Sequence, residues 1–189
     1  DSPPSGRKIP RMKKLVAPPI PDFSSYIARP ETLYIEREPD DSLTSIYESG
    51  YLPYSGTAGL NNIFYSARSA RVVLPTFELT SENRRIAKKF DGVFTNERIP
   101  LSSFNADETF YTFCLTYFAQ KHGKDAMPRA RLDQVLHSGM VSTVVLYKSG
   151  ARSIAYVLEV EAGHSGHYWF SFYDLMYAKQ SLGLWLMQD

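Results

Sequence analysis

Residues 167–189 read HYWFSFYDLMYAKQSLGLWLMQD, a sequence that contains a strand, a turn and the start of a helix in close succession. Aromatic residues dominate the first seven positions, which is typical of a strand, and Asp174 follows in a turn. A short loop, Gln180-Ser181-Leu182-Gly183, then opens an amphipathic run. Because the first N–H groups of a helix have no partner inside the helix, this order indicates an anion-binding loop.

The composition predicts one folded domain with a small N-terminal extension. The chain has 189 residues, of which 43% are hydrophobic and 14% aromatic, and this is enough for a substantial core. Its net charge of +1 does not predict general binding to polyanions. We expect the single cysteine, Cys114, to be buried, and no cluster of Cys and His has metal-site spacing, so we expect no metal or other cofactor. No apolar run reaches the roughly 18 residues of a membrane span, so we expect a cytoplasmic protein without a membrane partner.

The first 42 residues are predicted to form a proline-rich N-terminal arm. Seven of the twelve prolines lie in residues 1–30, and proline at this density disfavours regular structure. Residues 1–14 have a net charge of +4, whereas residues 15–50 have a net charge of −5. We interpret this segment as an extended arm that packs locally on the domain, with a polyanion-binding arm as the alternative.

The remaining sequence, residues 43–189, predicts an α+β domain with a mixed, mainly antiparallel sheet flanked by helices. Its periodicity and its turn residues predict helices at 43–47, 81–90, 105–122 and 129–136, an extended segment at 63–79, and strands at 142–148, 152–161 and 167–173. In the last strand we expect the side chains of Tyr168, Phe170 and Phe172 to alternate with those of Trp169, Ser171 and Tyr173. The second set then forms a surface that either stacks a terminal adenine or lies under a helix.

This order of elements, with a small-residue loop after the last strand, resembles the GNAT acyltransferase fold. The pyrophosphate loop of that fold reads Q/R-x-x-G-x-G/A. In residues 180–185, QSLGLW, the first two marks are present and Trp185 stands at the third. A bulky Trp at that position argues against a standard acetyl-CoA loop.

The chain also resembles the aminoacyl-tRNA–protein transferases of the N-degron pathway, the arginyl and leucyl transferases, which share a GNAT-type domain. Four collinear segments carry this resemblance. They are Glu48-Ser49-Gly50-Tyr51 with Tyr54-Ser55-Gly56; Arg71 to Phe77 followed by Thr80 to Lys89; Phe110-Tyr111 with Tyr117 and Lys121-His122-Gly123; and Phe172-Tyr173-Asp174-Leu175 with Ala178 to Gly183.

This sequence departs from the family's pattern in two places. Residues 65–70 read YSARSA where the family carries C-x-x-C, so any metal or iron–sulfur site of those relatives is expected to be absent. The family also continues past the S-L-G helix into a further strand, whereas this chain stops at Asp189. We therefore expect a domain that is incomplete at its C-terminus.

The resemblance implies transfer of an amino acid from aminoacyl-tRNA to the N-terminus of a protein or peptide. It implies a catalytic role for Asp174, which would orient the substrate ammonium or receive its proton, or which is a solvated turn residue. The expected substrate-binding residues are Tyr168, Ser171, Tyr173, Gln180, Ser181, Leu182 and Gly183, although the loop is also consistent with an ordinary helix start. The expected nucleic-acid contacts are Arg84, Arg85, Lys88 and Lys89, whose repulsive i,i+4 spacing is typical of a helix that faces an anion or is simply solvated.

Two alternative functions fit the same residues. One is an acyl-CoA N-acyltransferase of the GNAT class. The other is a non-catalytic module that keeps the fold and binds protein N-termini or RNA.

Overall fold

The computed structural model describes residues 13–16, 33–57, 59–60, 62–67 and 69–189. The chain divides into two compact units, Asp1–Ala70 and Arg71–Asp189. The division lies at residue 70, whereas we expected a boundary after residue 42. Two strands already lie within residues 1–42, the segment that we interpreted as an arm.

The first unit contains a four-stranded antiparallel sheet and one short helix. The strands are β1 (Lys13–Val16), β2 (Leu33–Glu36), β3 (Tyr51–Pro53) and β4 (Ile63–Ser66), in the order β1-β2-β4-β3, and the helix is α1 (Leu43–Glu48). Ile35, Ile46 and Phe64 are fully buried in this unit. The predicted arm therefore contributes two strands, which local proline content does not reveal because β1 and β2 stabilise each other by pairing. The basic patch at residues 7–11 lies outside the described residues.

The second unit is built on a four-stranded antiparallel sheet. Its strands are β5 (Thr95–Pro100), β6 (Thr143–Ser149), β7 (Arg152–Ala162) and β8 (Ser165–Tyr173), in the order β5-β6-β7-β8. Its helices are α2 (Ser81–Phe90), α3 (Glu108–His122), α4 (Arg129–His137) and α5 (Leu182–Leu186). Short 3₁₀ turns lie at Leu74–Thr76, Leu101–Ser103 and Leu175–Gln180.

The two faces of this sheet bury separate hydrophobic cores. On one face, side chains of α3 and α4 pack against Val144, Leu158 and Phe172, and Cys114 is fully buried there. On the other face, α2 and α5 cover Val145 and Val157. The central strands β6 and β7 are therefore buried on both sides, and each fully buried aliphatic side chain stabilises the fold by roughly 1.5–3 kcal/mol.

The α+β class and the antiparallel sheet flanked by helices are confirmed, and so are the helices that have clear local signals. Thr80 caps α2 in a capping box with Asn83, Asp107 caps α3, and α3 ends at Gly123, which has a φ of 100°. Of the segment predicted to be extended at 63–79, Ile63–Ser66 forms β4, whereas residues 71–80 form no strand. Val73 and Phe77 have extended backbones, but a 3₁₀ turn at Leu74–Thr76 interrupts them.

The predicted alternation along β8 was also wrong. Phe170 pairs with Leu158, whereas Tyr168 pairs with Glu159, so the strand has a bulge that contains one extra residue, Trp169. Trp169 and Phe170 therefore both pack against the core on the α3 side. Tyr168 joins Ser171 and Tyr173 on the face that is covered by α2 and α5.

Candidate functional site

The turn at Asp174 is held by three bonds. The backbone N–H of Asp174 donates to the carbonyl oxygen of Ile154 at 2.9 Å. Its Oδ1 accepts from the backbone N–H of Met176 at 3.0 Å, which caps the following 3₁₀ turn, and its Oδ2 forms an ion pair with Arg152. The Asp174 side chain is 11% exposed and that of Arg152 is 59% exposed. Both carboxylate oxygens are thus engaged in holding the turn, which is a positioning role.

The loop Gln180-Ser181-Leu182-Gly183 links this 3₁₀ turn to α5. Ser181 adopts a left-handed conformation with a φ of 71°, which residues other than glycine, asparagine and aspartate rarely adopt. The Ser181 side chain does not cap α5, which has five residues. Because few peptide dipoles align in so short a helix, the anion-binding capacity predicted for this loop rests on its backbone groups and on its neighbours.

Two residues of this loop region have buried structural contacts. Leu182 is fully buried, so its side chain belongs to the core beneath α5. The ring of Tyr173 lies against Gly183, because a Cβ atom at position 183 would come within 2.9 Å of Tyr173 Cε1. Gly183 therefore allows the end of β8 and the start of α5 to approach closely.

Trp185 is also a core residue. Its side chain is 3% exposed and packs against Phe90, Phe94 and Tyr147, and its indole N–H donates to Asp91 Oδ1 at 2.9 Å. The side chain is turned into the sheet, so it does not obstruct the backbone of the loop. This burial weakens the expectation that Trp185 excludes a coenzyme A loop.

The four basic residues of α2 have different surroundings. Arg85 forms a bidentate ion pair with Glu82, which neutralises part of its charge. The Arg84 guanidinium donates to the carbonyl oxygen of Leu79. Lys88 is exposed. Lys89 has a long-range contact, since its Nζ donates to the carbonyl oxygen of Gln180 at 3.2 Å, 91 positions away in the sequence. The structure therefore brings the predicted nucleic-acid helix and the predicted substrate loop together.

Hydroxyl groups lie between β8 and its covering helices. Burial is the main cause that raises the pKa of Tyr168 to about 12. Burial, with a further contribution from Tyr173, raises the pKa of Tyr117 on α3 above its ordinary value, and the rings of Tyr117 and Tyr173 are 5.0 Å apart. These tyrosines are neutral hydrogen-bond donors at physiological pH.

Sequence reasoning missed three features of this region. Arg152 has no local signal, because its partner Asp174 lies 22 residues away in the turn after β8. Tyr117 was quoted within the family resemblance, but not as a site residue, and only the packing of α3 brings it to Tyr173. The bulge at Trp169 has no proline or glycine to mark it, so only the pairing with β7 reveals it.

Two broader findings concern the described part of the chain. In those residues, no helix combines the length and the apolar character that crossing a bilayer requires. In the same residues, no group of three or more His, Cys, Asp or Glu side chains is arranged to hold a metal ion.

Comparison with known protein families gives a match. The family model described as the acetyltransferase (GNAT) domain matches residues 102–189, a segment that runs from the 3₁₀ turn before α3 to the end of the chain and leaves out α2 and β5. No curated protein matches the chain. The match gives this part of the chain a GNAT-type fold and supports, at the level of reaction class, the transfer of an acyl group to an amine.

Proposed function

We propose that the protein transfers an amino acid from aminoacyl-tRNA to the N-terminal amine of a protein or peptide. The observation that carries this proposal is the hydrogen bond from Lys89 to the Gln180 carbonyl oxygen. It places a basic helix beside the loop that follows the last strand of a GNAT-type sheet. Aminoacyl-tRNA combines a polyanionic backbone, which a basic helix can bind, with a reactive acyl end, which the adjacent loop can hold.

The reaction needs three things from the protein. It must position the ester, keep the attacking amine neutral and stabilise the negative charge that develops on the carbonyl oxygen. The amine nitrogen forms a bond to the carbonyl carbon, and the ester C–O bond breaks with its electron pair on the ribose oxygen. That oxygen takes up the proton that the amine releases.

The basic helix α2 supplies the proposed contacts to tRNA phosphates. Arg84, Lys88 and Lys89 lie on it with Arg85, whose charge is shared with Glu82. The Gln180–Gly183 loop supplies backbone groups for the acylated 3′ end of the tRNA. Tyr168, Ser171 and Tyr173 supply hydroxyl groups on the sheet face below α5.

The proposed role of Asp174 differs from the catalytic role that the resemblance implies. Its carboxylate holds the turn through Met176 and Arg152, so the most direct role is to fix the loop that starts six residues later. The role of proton acceptor would require the Arg152 ion pair to open. We therefore propose Asp174 first as a positioning residue.

An acyl-CoA N-acyltransferase is the second candidate function. The family match supports it equally, and the buried side chain of Trp185 weakens the main objection to a coenzyme A loop at residues 180–185. A non-catalytic module that binds N-termini or RNA is the third candidate, and it would retain the basic surface without turnover.

One assay separates these functions. The protein is incubated with a peptide that has an N-terminal acidic residue, together with either tRNA charged with a labelled amino acid or labelled acetyl-CoA. We expect label in the peptide only with charged tRNA. Label only from acetyl-CoA would support the second function, and label from neither would support the binding module.

A matched variant sharpens this assay. Replacement of Lys89 by Met keeps the length of the side chain but removes the bond to Gln180, and we expect it to lower the transfer rate several-fold. Lys124 is an exposed lysine in the loop between α3 and α4, on the other side of the sheet. Replacement of Lys124 by Met should leave the rate unchanged, and equal effects of the two changes would contradict a specific role for α2.

A further inference from the structure

The Tyr168 hydroxyl is a buried polar group that the folding of the second unit does not explain. Its oxygen is buried, and no group in the described residues forms a hydrogen bond with it. A buried hydroxyl without a partner typically costs about 1–3 kcal/mol. Such groups are uncommon in native proteins, and a functional role or a bound water or ion is among the explanations for them.

Other tyrosine hydroxyls of the second unit have hydrogen-bond partners. The Tyr147 hydroxyl, which is buried in the same core, donates to Asp189 Oδ2 at 3.1 Å, and the Tyr156 hydroxyl donates to Ser153 at 3.1 Å. Burial raises the pKa of Tyr168, and an interaction with the Ser171 side chain lowers it again in part; the two hydroxyls nevertheless do not meet in hydrogen-bond geometry, so Tyr168 has no well-aligned partner in the described residues. Two neighbouring hydroxyls that do not bond well to each other can both bond to a third oxygen atom.

The bulge in β8 creates this arrangement. Tyr168 pairs with Glu159 and Ser171 pairs with Val157, and residues 157 and 159 lie on the same face of β7. Both hydroxyl side chains therefore lie on the face covered by α5, where Tyr168 packs against the core cluster that contains Leu182 and Trp185. Tyr173, which contacts Gly183, lies on the same face.

We propose that the Tyr168 hydroxyl, with Ser171 beside it, donates a hydrogen bond to the carbonyl oxygen of the donor's acyl group. This inference rests on the proposed function for the choice of donor, but an aminoacyl ester and an acyl thioester present the same carbonyl oxygen. A neutral hydroxyl at this point binds the carbonyl group in the ground state and stabilises the charge that develops on its oxygen during attack by the amine. The cost of an unpaired hydroxyl in the free protein is offset when the donor binds.

Stability gives the first test. Replacement of Tyr168 by Phe removes only the hydroxyl, so the free protein should keep or raise its urea unfolding midpoint. Tyr147→Phe is the matched control, and because it breaks the bond to Asp189 it should lower the midpoint. A lower midpoint for Tyr168→Phe would mean that the hydroxyl is bonded within the protein, and this would overturn the inference.

Binding gives the second test and uses two pairs of probes in isothermal titration calorimetry. The first pair is 3′-aminoacylamino-3′-deoxyadenosine, a stable analogue of the aminoacyl end, and the same nucleoside without its acyl group. The second pair is acetyl-CoA and coenzyme A. Tyr168→Phe should weaken binding of the acylated member of a pair roughly tenfold, as expected for one lost hydrogen bond, and leave the other member unchanged. Tyr147→Phe should change neither.

The outcomes distinguish failure of this inference from failure of the proposed function. If the wild type binds the aminoacyl analogue and Tyr168→Phe binds it equally well, the hydroxyl contacts at most a structural water and the inference is overturned. If only acetyl-CoA shows the tenfold loss, the inference stands and the aminoacyl-tRNA function fails. If neither acylated probe binds the wild type, both fail.

Discussion

The Tyr173 ring and the Gly183 backbone lie in direct contact, with 2.9 Å between Tyr173 Cε1 and the position that a Cβ atom at residue 183 would occupy. Alanine normally stabilises a helix relative to glycine by up to about 1 kcal/mol. Here we expect Gly183→Ala to lower the free energy of unfolding by about 1–2 kcal/mol, because the ring must move. Urea unfolding measures this difference, and exposed Leu184→Ala on the same helix serves as the control. The same Gly183→Ala change in a Tyr173→Ala background should cost little, and an undiminished cost there would contradict the contact as its cause.

Asp174 should stabilise the turn mainly as a cap and only partly through its ion pair. Asp174→Ser keeps a capping oxygen but loses Arg152, so we expect a loss of at most about 1 kcal/mol, since the guanidinium is largely exposed. Asp174→Ala loses both interactions and should cost about 1 kcal/mol more. Urea unfolding of the two variants, with Arg152→Gln as a third, gives the comparison. Equal losses for the Ser and Ala variants would contradict the capping role.

The basic helix α2 should control the salt dependence of tRNA binding. Each cation that contacts a phosphate steepens the dependence of log K on log salt, so Arg84→Ala with Lys88→Ala should weaken binding and flatten the slope by about 1–2. Arg85→Ala should have a smaller effect, because Glu82 already neutralises part of its charge. Filter binding between 50 and 200 mM salt provides the slopes, with Lys124→Ala as the control. Unchanged slopes for α2 variants would remove this helix from the interface.

Buried tyrosines should make the protein lose stability in alkali. Burial raises the pKa of Tyr168, and burial with a hydrogen bond to Asp133 raises the pKa of Tyr111, each to about 12. Because the unfolded chain ionises its tyrosines near pH 10, their contribution is fully present below pH ~10 and is lost as the pH rises towards 12. Urea unfolding at pH 8, 10 and 11 should show this decline. The decline should be shallower in Tyr168→Phe, and an identical decline would show that Tyr168 does not contribute.

The sequence predicted those parts of the fold that local interactions determine. Thr80 and Asp107 mark helix starts, and Gly123 marks a helix end, because capping depends on residues within one turn. By contrast, β5 was missed because most of its residues are exposed and its position is fixed by pairing with β6. The strand β1 was missed for a similar reason, since it lies in a proline-rich segment and is held by β2.

The candidate site could be predicted as a set of residues but not as an arrangement. The segment 167–189 and the basic helix were identified from their composition and from the family resemblance, yet nothing local indicates that Lys89 bonds to Gln180. The ion pair of Asp174 with Arg152, and the inward side chain of Trp185, also depend on packing between distant elements. Long-range contacts of this kind arrange the residues of the site, and local sequence patterns do not predict them.

The extra residue in β8 changes the parity of the strand. Positions 168 and 171 differ by three, an odd number, so in an unbroken strand their side chains would lie on opposite faces. One inserted residue makes the spacing even in the ladder and places both hydroxyls in one layer. The arrangement of hydroxyls on this face therefore depends on the number of residues between 168 and 171 that pair in the ladder rather than on which residues they are. Deletion of Trp169 would leave a spacing of two and keep both hydroxyls on one face of a regular strand. Loss of the bulge at unchanged chain length would separate them, whereas many substitutions at Trp169 would leave them together.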